Sequence, residues 1–123
     1  MSASFRDLRV WREAMDLAAL IYRNTAEFPE FEMYGLGQQM RRAAVSVPSN
    51  IAEGKGNGHT SNKEFVHFLL HARGSLWELQ TQILIAEALQ YISEDERREL
   101  LGKAEDVSRA LSGLISVMSS QAA

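Results

Sequence analysis

The chain has 123 residues, the usual length of a single domain, and 46% of them are hydrophobic and 24% charged, as in an ordinary globular protein. It contains no cysteine, which excludes disulfides and thiolate metal sites and fits a reducing cytoplasm. The N-terminus lacks the apolar run of a signal peptide, and no apolar stretch approaches the ~18 residues of a membrane span. We therefore expect a cytoplasmic protein with no membrane contact.

The net charge of −3 is unevenly distributed along the chain. Residues 37–75 carry five basic and two acidic side chains, a balance of +3, whereas residues 76–123 carry four basic and eight acidic side chains, a balance of −4. A basic face is therefore expected in the middle of the chain, although the whole protein is acidic.

The first predicted helix covers about residues 8–26. Its apolar residues follow the 4-3-4 spacing that places side chains on one helix face, and Val10, Leu17 and Ile21 widen this stripe. Pro29 ends the helix, because the residue before a proline avoids the α region. The central stripe is Trp11, Met15, Ala18 and Tyr22.

The second predicted helix covers about residues 34–53 and contains a proline. Pro48 removes one backbone donor and crowds the carbonyl of Ala44. Because Ile51 keeps the apolar stripe in phase, we expect a kinked helix that continues, and the alternative is two short helices. Gly54 is the expected stop.

A glycine-rich segment at residues 54–60 predicts a flexible loop, and Ser61 with Glu64 forms a capping box that opens the third helix, about residues 62–91. Phe68, Trp77 and Leu84 lie beside the apolar seam of this helix. Such a wide apolar face indicates contacts beyond the intramolecular core. The seam residues are Phe65, Leu69, Ala72, Leu76, Leu79, Ile83 and Ala86.

Ser93 and Glu96 form a second capping box, which opens a fourth helix over about residues 94–118. Gly102 and Gly113 lower its helix propensity, and we expect them to permit close packing. With short connections between long helices, the predicted fold is all-α: an antiparallel up-down-up-down four-helix bundle in a single domain.

No catalytic, metal or cofactor motif is recognisable. Glu64 and His67 form one E-x-x-H pair, with His71 a turn further on, but di-iron bundles need two such pairs and two more glutamates. The glycine loop lacks the phosphate-binding G-x-x-x-x-G-K-[ST] pattern, and no serine lies in G-x-S-x-G. We therefore expect no enzyme activity, no metal and no cofactor.

Arg41 and Arg42 are the leading candidates for a binding role, because guanidinium groups bind phosphates through paired hydrogen bonds. Three further basic residues extend the candidate nucleic-acid-binding patch along the loop and the third helix. The alternative is salt bridging between helices or subunits, for example to Glu53 or Glu78. The five candidates are Arg41, Arg42, Lys55, Lys63 and Arg73.

Three segments resemble one known family: FRDLRVWREAMDLA at 5–18, RRAAVSVPSNIAEG at 41–54 and KEFVHFLLHARGSLWELQTQ at 63–82. The family is that of the bacterial 23S rRNA-intervening-sequence proteins, also called four-helix-bundle proteins. The resemblance implies a four-helix bundle assembled as a ring-like homopentamer, and it brings no catalytic residues. Some relatives are encoded inside insertions in 23S rRNA genes.

Two functions follow as hypotheses. The first is a non-enzymatic, oligomeric bundle that binds RNA or DNA through the basic residues. The second is a protein-interaction scaffold without nucleic-acid contact, which the net acidity and the wide apolar face of the third helix favour.

Overall fold

The computed structural model describes residues 4–56 and 61–122, and within them all regular structure is helical. Two short 3₁₀ turns, Phe5–Asp7 and Glu30–Glu32, precede the first and second α-helices. This confirms the all-α prediction. The four long helices are α1 Arg9–Thr25, α2 Leu36–Lys55, α3 Asn62–Ala88 and α4 Glu94–Ala122.

The four helices pack in a ring of neighbours, α1 against α2, α2 against α3, α3 against α4 and α4 against α1. This is the four-helix bundle that the sequence predicts. Ser46 on α2 contacts Ser75 on α3, while Gly54 further along α2 lies against Phe65 and Phe68 earlier in α3, so α2 and α3 run in opposite directions. The up-down-up-down order of the whole bundle stays a prediction.

The predicted seam of α3 lies in the core: all seven of its residues are buried, and Leu76 is completely inaccessible to solvent. For α1, the predicted centre of the buried apolar stripe is wrong. Val10, Ala14, Leu17 and Ile21 form the core face of α1. The predicted stripe, Trp11, Met15, Ala18 and Tyr22, lies beside that face and is exposed or half-buried.

Helix α2 continues without a break through Pro48, so the alternative of two short helices is wrong, and the kink itself stays a prediction. Gly54 is not the helix stop. Helix α2 ends at Lys55, and Gly56 caps it with a φ of 55°, a left-handed conformation that suits glycine. Gly54 instead marks the close approach of α2 to α3, since a Cβ there would lie 2.6 Å from the Cβ of Phe68.

The capping box predicted at Ser93 is complete, whereas at Ser61 only its hydroxyl half is formed. The backbone N–H groups of Glu64 and Glu96 donate to the hydroxyls of Ser61 and Ser93, at 3.1 Å and 3.0 Å. The carboxylate of Glu96 also accepts from the Ser93 N–H at 2.7 Å, which completes the reciprocal pair at the start of α4.

Helix α3 ends three residues before the predicted position, and α4 extends beyond residue 118 to Ala122. The early end of α3 has a local cause: Gln90 has a φ of 64°, and the N–H of Tyr91 closes the last turn on the carbonyl of Ala86 at 2.9 Å. Among the described helices, none combines the length and hydropathy needed to cross a membrane.

Candidate interaction surfaces

Arg41 links three segments of the chain. Its guanidinium donates to the Thr25 hydroxyl at 3.1 Å and to the Met33 carbonyl at 3.0 Å, and it lies 5.9 Å from the centre of the Tyr22 ring. Thr25 is buried, and its hydroxyl donates a hydrogen bond to the Ile21 carbonyl at 2.8 Å. Arg41 therefore joins α1, the connection that follows it and α2 through hydrogen bonds to neutral acceptors.

Arg42 lies on a different side of α2. It is exposed and stands one helical turn before Ser46, whose hydroxyl hydrogen-bonds to Ser75 of α3 at 2.8 Å. Arg41 thus faces α1 while Arg42 lies towards the α3 side. The salt bridges to Glu53 or Glu78 that the sequence offers as an alternative are not formed within the described part of the chain.

The other three candidate cations lie elsewhere. Lys55 is 6.0 Å from the Phe65 ring centre, Arg73 stacks 5.0 Å from the Trp77 ring centre, and Lys63 is exposed in the first turn of α3. Thirteen residues, or about 20 Å of helix, separate Arg42 from Lys55. Arg42 and Lys55 are therefore too far apart along α2 to bind the same phosphate group.

His67 and His71 lie side by side on the exposed surface of α3, with ring centres 4.6 Å apart. Within residues 4–56 and 61–122, no group of three or more potential metal ligands comes together. Most of the predicted glycine loop, residues 57–60, lies outside the described residues.

An apolar valley runs along the outer surface between α1 and α2, with a volume of about 450 Å³. We call it the α1/α2 groove. Met15 and Tyr22 on α1 and Val45 on α2 are 45%, 49% and 42% exposed although all three are large and apolar. The full lining is Trp11, Met15, Ala18, Ala19, Tyr22, Val45, Pro48, Ser49 and Ala52.

A line of large apolar side chains projects from α3 into solvent. Leu70, Trp77 and Leu84 are spaced by seven residues, which places them on one face of the helix, and they are 40%, 54% and 49% exposed. We call them the α3 ridge. Gly74 interrupts the ridge because it has no side chain. A Cβ at this position would meet no other atom within 4 Å.

The sequence predicts these surfaces only in part. The sequence predicts that Phe68, Trp77 and Leu84 lie beside the α3 seam. The structure exposes Trp77 and Leu84, whereas Phe68 is half-buried against Gly54 of α2. Trp11, Met15 and Tyr22, which the sequence predicts at the centre of the apolar stripe, line the α1/α2 groove. The missed signal is that α1 carries two parallel stripes at 4-3-4 spacing, and the bundle buries only the one that starts at Val10.

Comparison with known proteins places this architecture in a family. The model of the 23S rRNA-intervening sequence protein family matches residues 6–113. A crystal structure of a protein with unknown function from the S23 ribosomal protein family of Bacteroides thetaiotaomicron aligns with a TM-score of 0.76 at 18% identity, covering 86% of this chain and 97% of that one. No curated protein matches the chain. Because the family model spans most of its length, the chain belongs to the 23S rRNA-intervening sequence protein family.

Proposed function

We propose that this protein is a non-enzymatic interaction scaffold that works as a homo-oligomer. One observation carries the proposal: the α3 ridge and the α1/α2 groove leave large apolar side chains in water along two sides of a protomer whose own core is complete. Contiguous apolar surface of this kind marks interaction sites in soluble proteins. Five is the number of subunits that the family resemblance implies.

The environments of the potentially reactive side chains support a binding role more than catalysis. His67 and His71 stand on an open helix surface, where water reaches them freely. The described residues bring no three metal ligands together. Arg41, which is half-buried, already donates hydrogen bonds to Thr25 and Met33.

The mass of the protein in solution tests the proposal. Sedimentation over a hundredfold dilution series should give a discrete mass that is a multiple of the 13.8 kDa protomer, and five copies are expected. A constant mass of 13.8 kDa at every concentration would overturn the proposal. Nuclease treatment before the measurement separates assembly by protein contacts from assembly on nucleic acid.

A second candidate function is binding of RNA or DNA, which the exposure of two cations favours. Arg42 and Lys63 are exposed and form no ion pair within the described residues. An oligomer repeats each such cation in every subunit, so weak phosphate contacts gain avidity where one nucleic acid reaches several copies. The names of the family and of its structural neighbour refer to ribosomal RNA and a ribosomal protein.

Fluorescence anisotropy of a labelled structured RNA across a salt series tests this second function. Phosphate contacts predict an affinity that falls steeply with salt and that Arg42→Glu weakens. Lys103→Glu on α4 is the matched control, because it changes the net charge equally at another exposed position. Absence of binding at low salt, or equal loss in both variants, would leave the scaffold function alone. Arg41 is unsuitable for this test because its loss breaks hydrogen bonds inside the protomer.

A further inference from the structure

Helix α3 holds two histidine side chains one turn apart on its exposed surface. His67 and His71 are separated by four residues, so they share one face of the helix, and their ring centres lie 4.6 Å apart. Helical side chains lean towards the N-terminus of their helix, so His71 lies over the turn that carries His67. Leu69 and Ala72 on the opposite face are completely buried, which fixes this turn of α3 in the core. The fold therefore presents the two imidazoles to solvent side by side.

The spacing of the two rings matches that of two ligands on one metal ion. An ion bonded to a ring nitrogen at ~2.1 Å lies ~3.2 Å from the centre of that imidazole ring. Two imidazoles that bind an ion at right angles to each other then have ring centres ~4.5 Å apart. The observed separation is 4.6 Å, and the interplanar angle of 71° shows that the rings are not stacked face to face. Rotation of the two exposed rings is enough to direct one nitrogen of each towards a shared ion.

The surroundings of the pair leave room for further ligands of the ion. A depression of about 420 Å³ lies over this part of α3. One water molecule occupies ~30 Å³ in the liquid, so the depression accommodates an ion with several bound waters. Glycine at position 74 keeps the space beyond His71 open, since a Cβ there would meet nothing within 4 Å. The lining residues are His67, Leu70, His71, Gly74, Ser75 and Glu78.

Carboxylates on the same face of α3 favour a cation at the histidine pair. Glu64 precedes His67 by three residues and Glu78 follows His71 by seven, and both glutamates are exposed. Neither forms an ion pair within residues 4–56 and 61–122. Lys63, one turn before His67, opposes the two carboxylates with a single positive charge. The local field therefore attracts a divalent cation.

We propose that His67 and His71 chelate one divalent transition-metal ion, Ni²⁺ or Cu²⁺, with water in the remaining coordination positions. These ions accept nitrogen ligands at right angles in square-planar or tetragonal geometry. The sequence-based expectation of no metal concerned di-iron centres, which need a second E-x-x-H pair, whereas a chelate of two imidazoles does not. The site is complete in one protomer, so it does not rest on the self-association proposed above.

Calorimetric titration of the full chain, carrying no added histidines, with nickel chloride tests the site. One Ni²⁺ should bind per protomer, and excess Mg²⁺ should not compete, because Mg²⁺ prefers oxygen ligands. His67→Gln and His71→Gln should each weaken binding at least ~10-fold, since a single imidazole loses the high effective concentration of its neighbour. Both residues are exposed, so each variant should keep the helical circular dichroism of the parent. His59→Gln is the matched control, because it removes the third histidine of the chain and leaves the pair intact.

Thermal unfolding gives a second readout of the chelate. The helical spacing of the two imidazoles exists only in the folded protein, so saturating Ni²⁺ should raise the Tm of the parent and of His59→Gln. His67→Gln and His71→Gln should show no such rise. A parent that binds no Ni²⁺ at millimolar concentration would overturn the proposal, as would parent-like affinity in either pair variant or an equal loss in His59→Gln. A stoichiometry of one ion per two protomers would also overturn it, because the ion would then be shared between subunits.

Discussion

The Tyr91 hydroxyl, in the turn between α3 and α4, donates a hydrogen bond of 2.8 Å to the carboxylate of Glu32, which lies 59 residues earlier in the connection between α1 and α2. The same carboxylate accepts from the N–H of Leu36 at 3.0 Å, in the first turn of α2. Glu32 therefore caps the first turn of α2 and links the α1–α2 connection to the α3–α4 turn at one end of the bundle. The Leu36 N–H, followed by the Tyr91 hydroxyl, lowers the pKa of Glu32, and the carboxylate raises the pKa of Tyr91.

Thermal stability should depend on pH through this contact. Because the folded-state pKa of Glu32 is lowered, its ionised form stabilises the fold at pH values above the unfolded pKa of about 4.5, and this contribution is lost as the pH falls through the folded value. Glu32→Gln should have a lower Tm than the parent at pH 7, and the difference should narrow below pH ~4.5. The measurement is Tm by circular dichroism from pH 3 to pH 8. A difference that stays constant over this range would contradict the ionised contact.

Gly54→Ala should destabilise the protomer. The new Cβ would lie 2.6 Å from the Cβ of Phe68 and 3.1 Å from a ring carbon of Phe65, so α2 and α3 must separate. We expect a loss of ~1–3 kcal/mol in the free energy of unfolding. Gly102→Ala is the matched control, because the added Cβ meets nothing within 4 Å and helix propensity should raise stability by up to ~1 kcal/mol. Urea unfolding of both variants measures the contrast, and equal effects would refute the tight crossing.

The bundle could be predicted from the sequence because its main signals are local. The capping serines, the seven-residue seam of α3 and the uninterrupted phase of α2 across Pro48 each depend on nearby residues, and the structure agrees with them. The close packing expected at Gly102 and Gly113 is absent within the protomer, where both positions face open space.

The surfaces were harder to predict because they depend on tertiary choices. The sequence of α1 permits two apolar faces, and only packing against α2 and α4 decides which one is buried. Arg41 and Arg42 are adjacent in sequence, but Thr25 and Met33 engage the first alone. No sequence pattern around the arginine pair identifies Thr25 or Met33 as a partner. Only the fold therefore shows that Arg41 forms internal hydrogen bonds while Arg42 is exposed.

Leu76→Glu and Leu84→Glu should separate folding from assembly. Leu76 is fully buried, so a carboxylate there loses its hydration without a partner and should destabilise the protomer by ~4 kcal/mol or more. Leu84 is 49% exposed on the α3 ridge, so the same substitution should change the unfolding free energy by less than ~1 kcal/mol while lowering the assembled mass. Urea unfolding and sedimentation measure the two effects. Parent-like stability of Leu76→Glu would show that the core assignment of α3 is wrong.

Gly74→Ala should move folding and assembly in opposite directions. Nothing in the protomer occupies the space beside Gly74, so an alanine methyl adds helix propensity without a clash and should stabilise the protomer by up to ~1 kcal/mol. In an oligomer that buries the α3 ridge, the same methyl narrows the notch between Leu70 and Trp77 and obstructs the side chains of the neighbouring subunit. Dilution sedimentation should therefore show weaker assembly than in the parent, whereas Gly102→Ala, with the same gain in helix propensity, should assemble normally. If Gly74→Ala assembles as tightly as Gly102→Ala, the notch is not in the interface, and the mid-ridge glycine has no packing role in the oligomer.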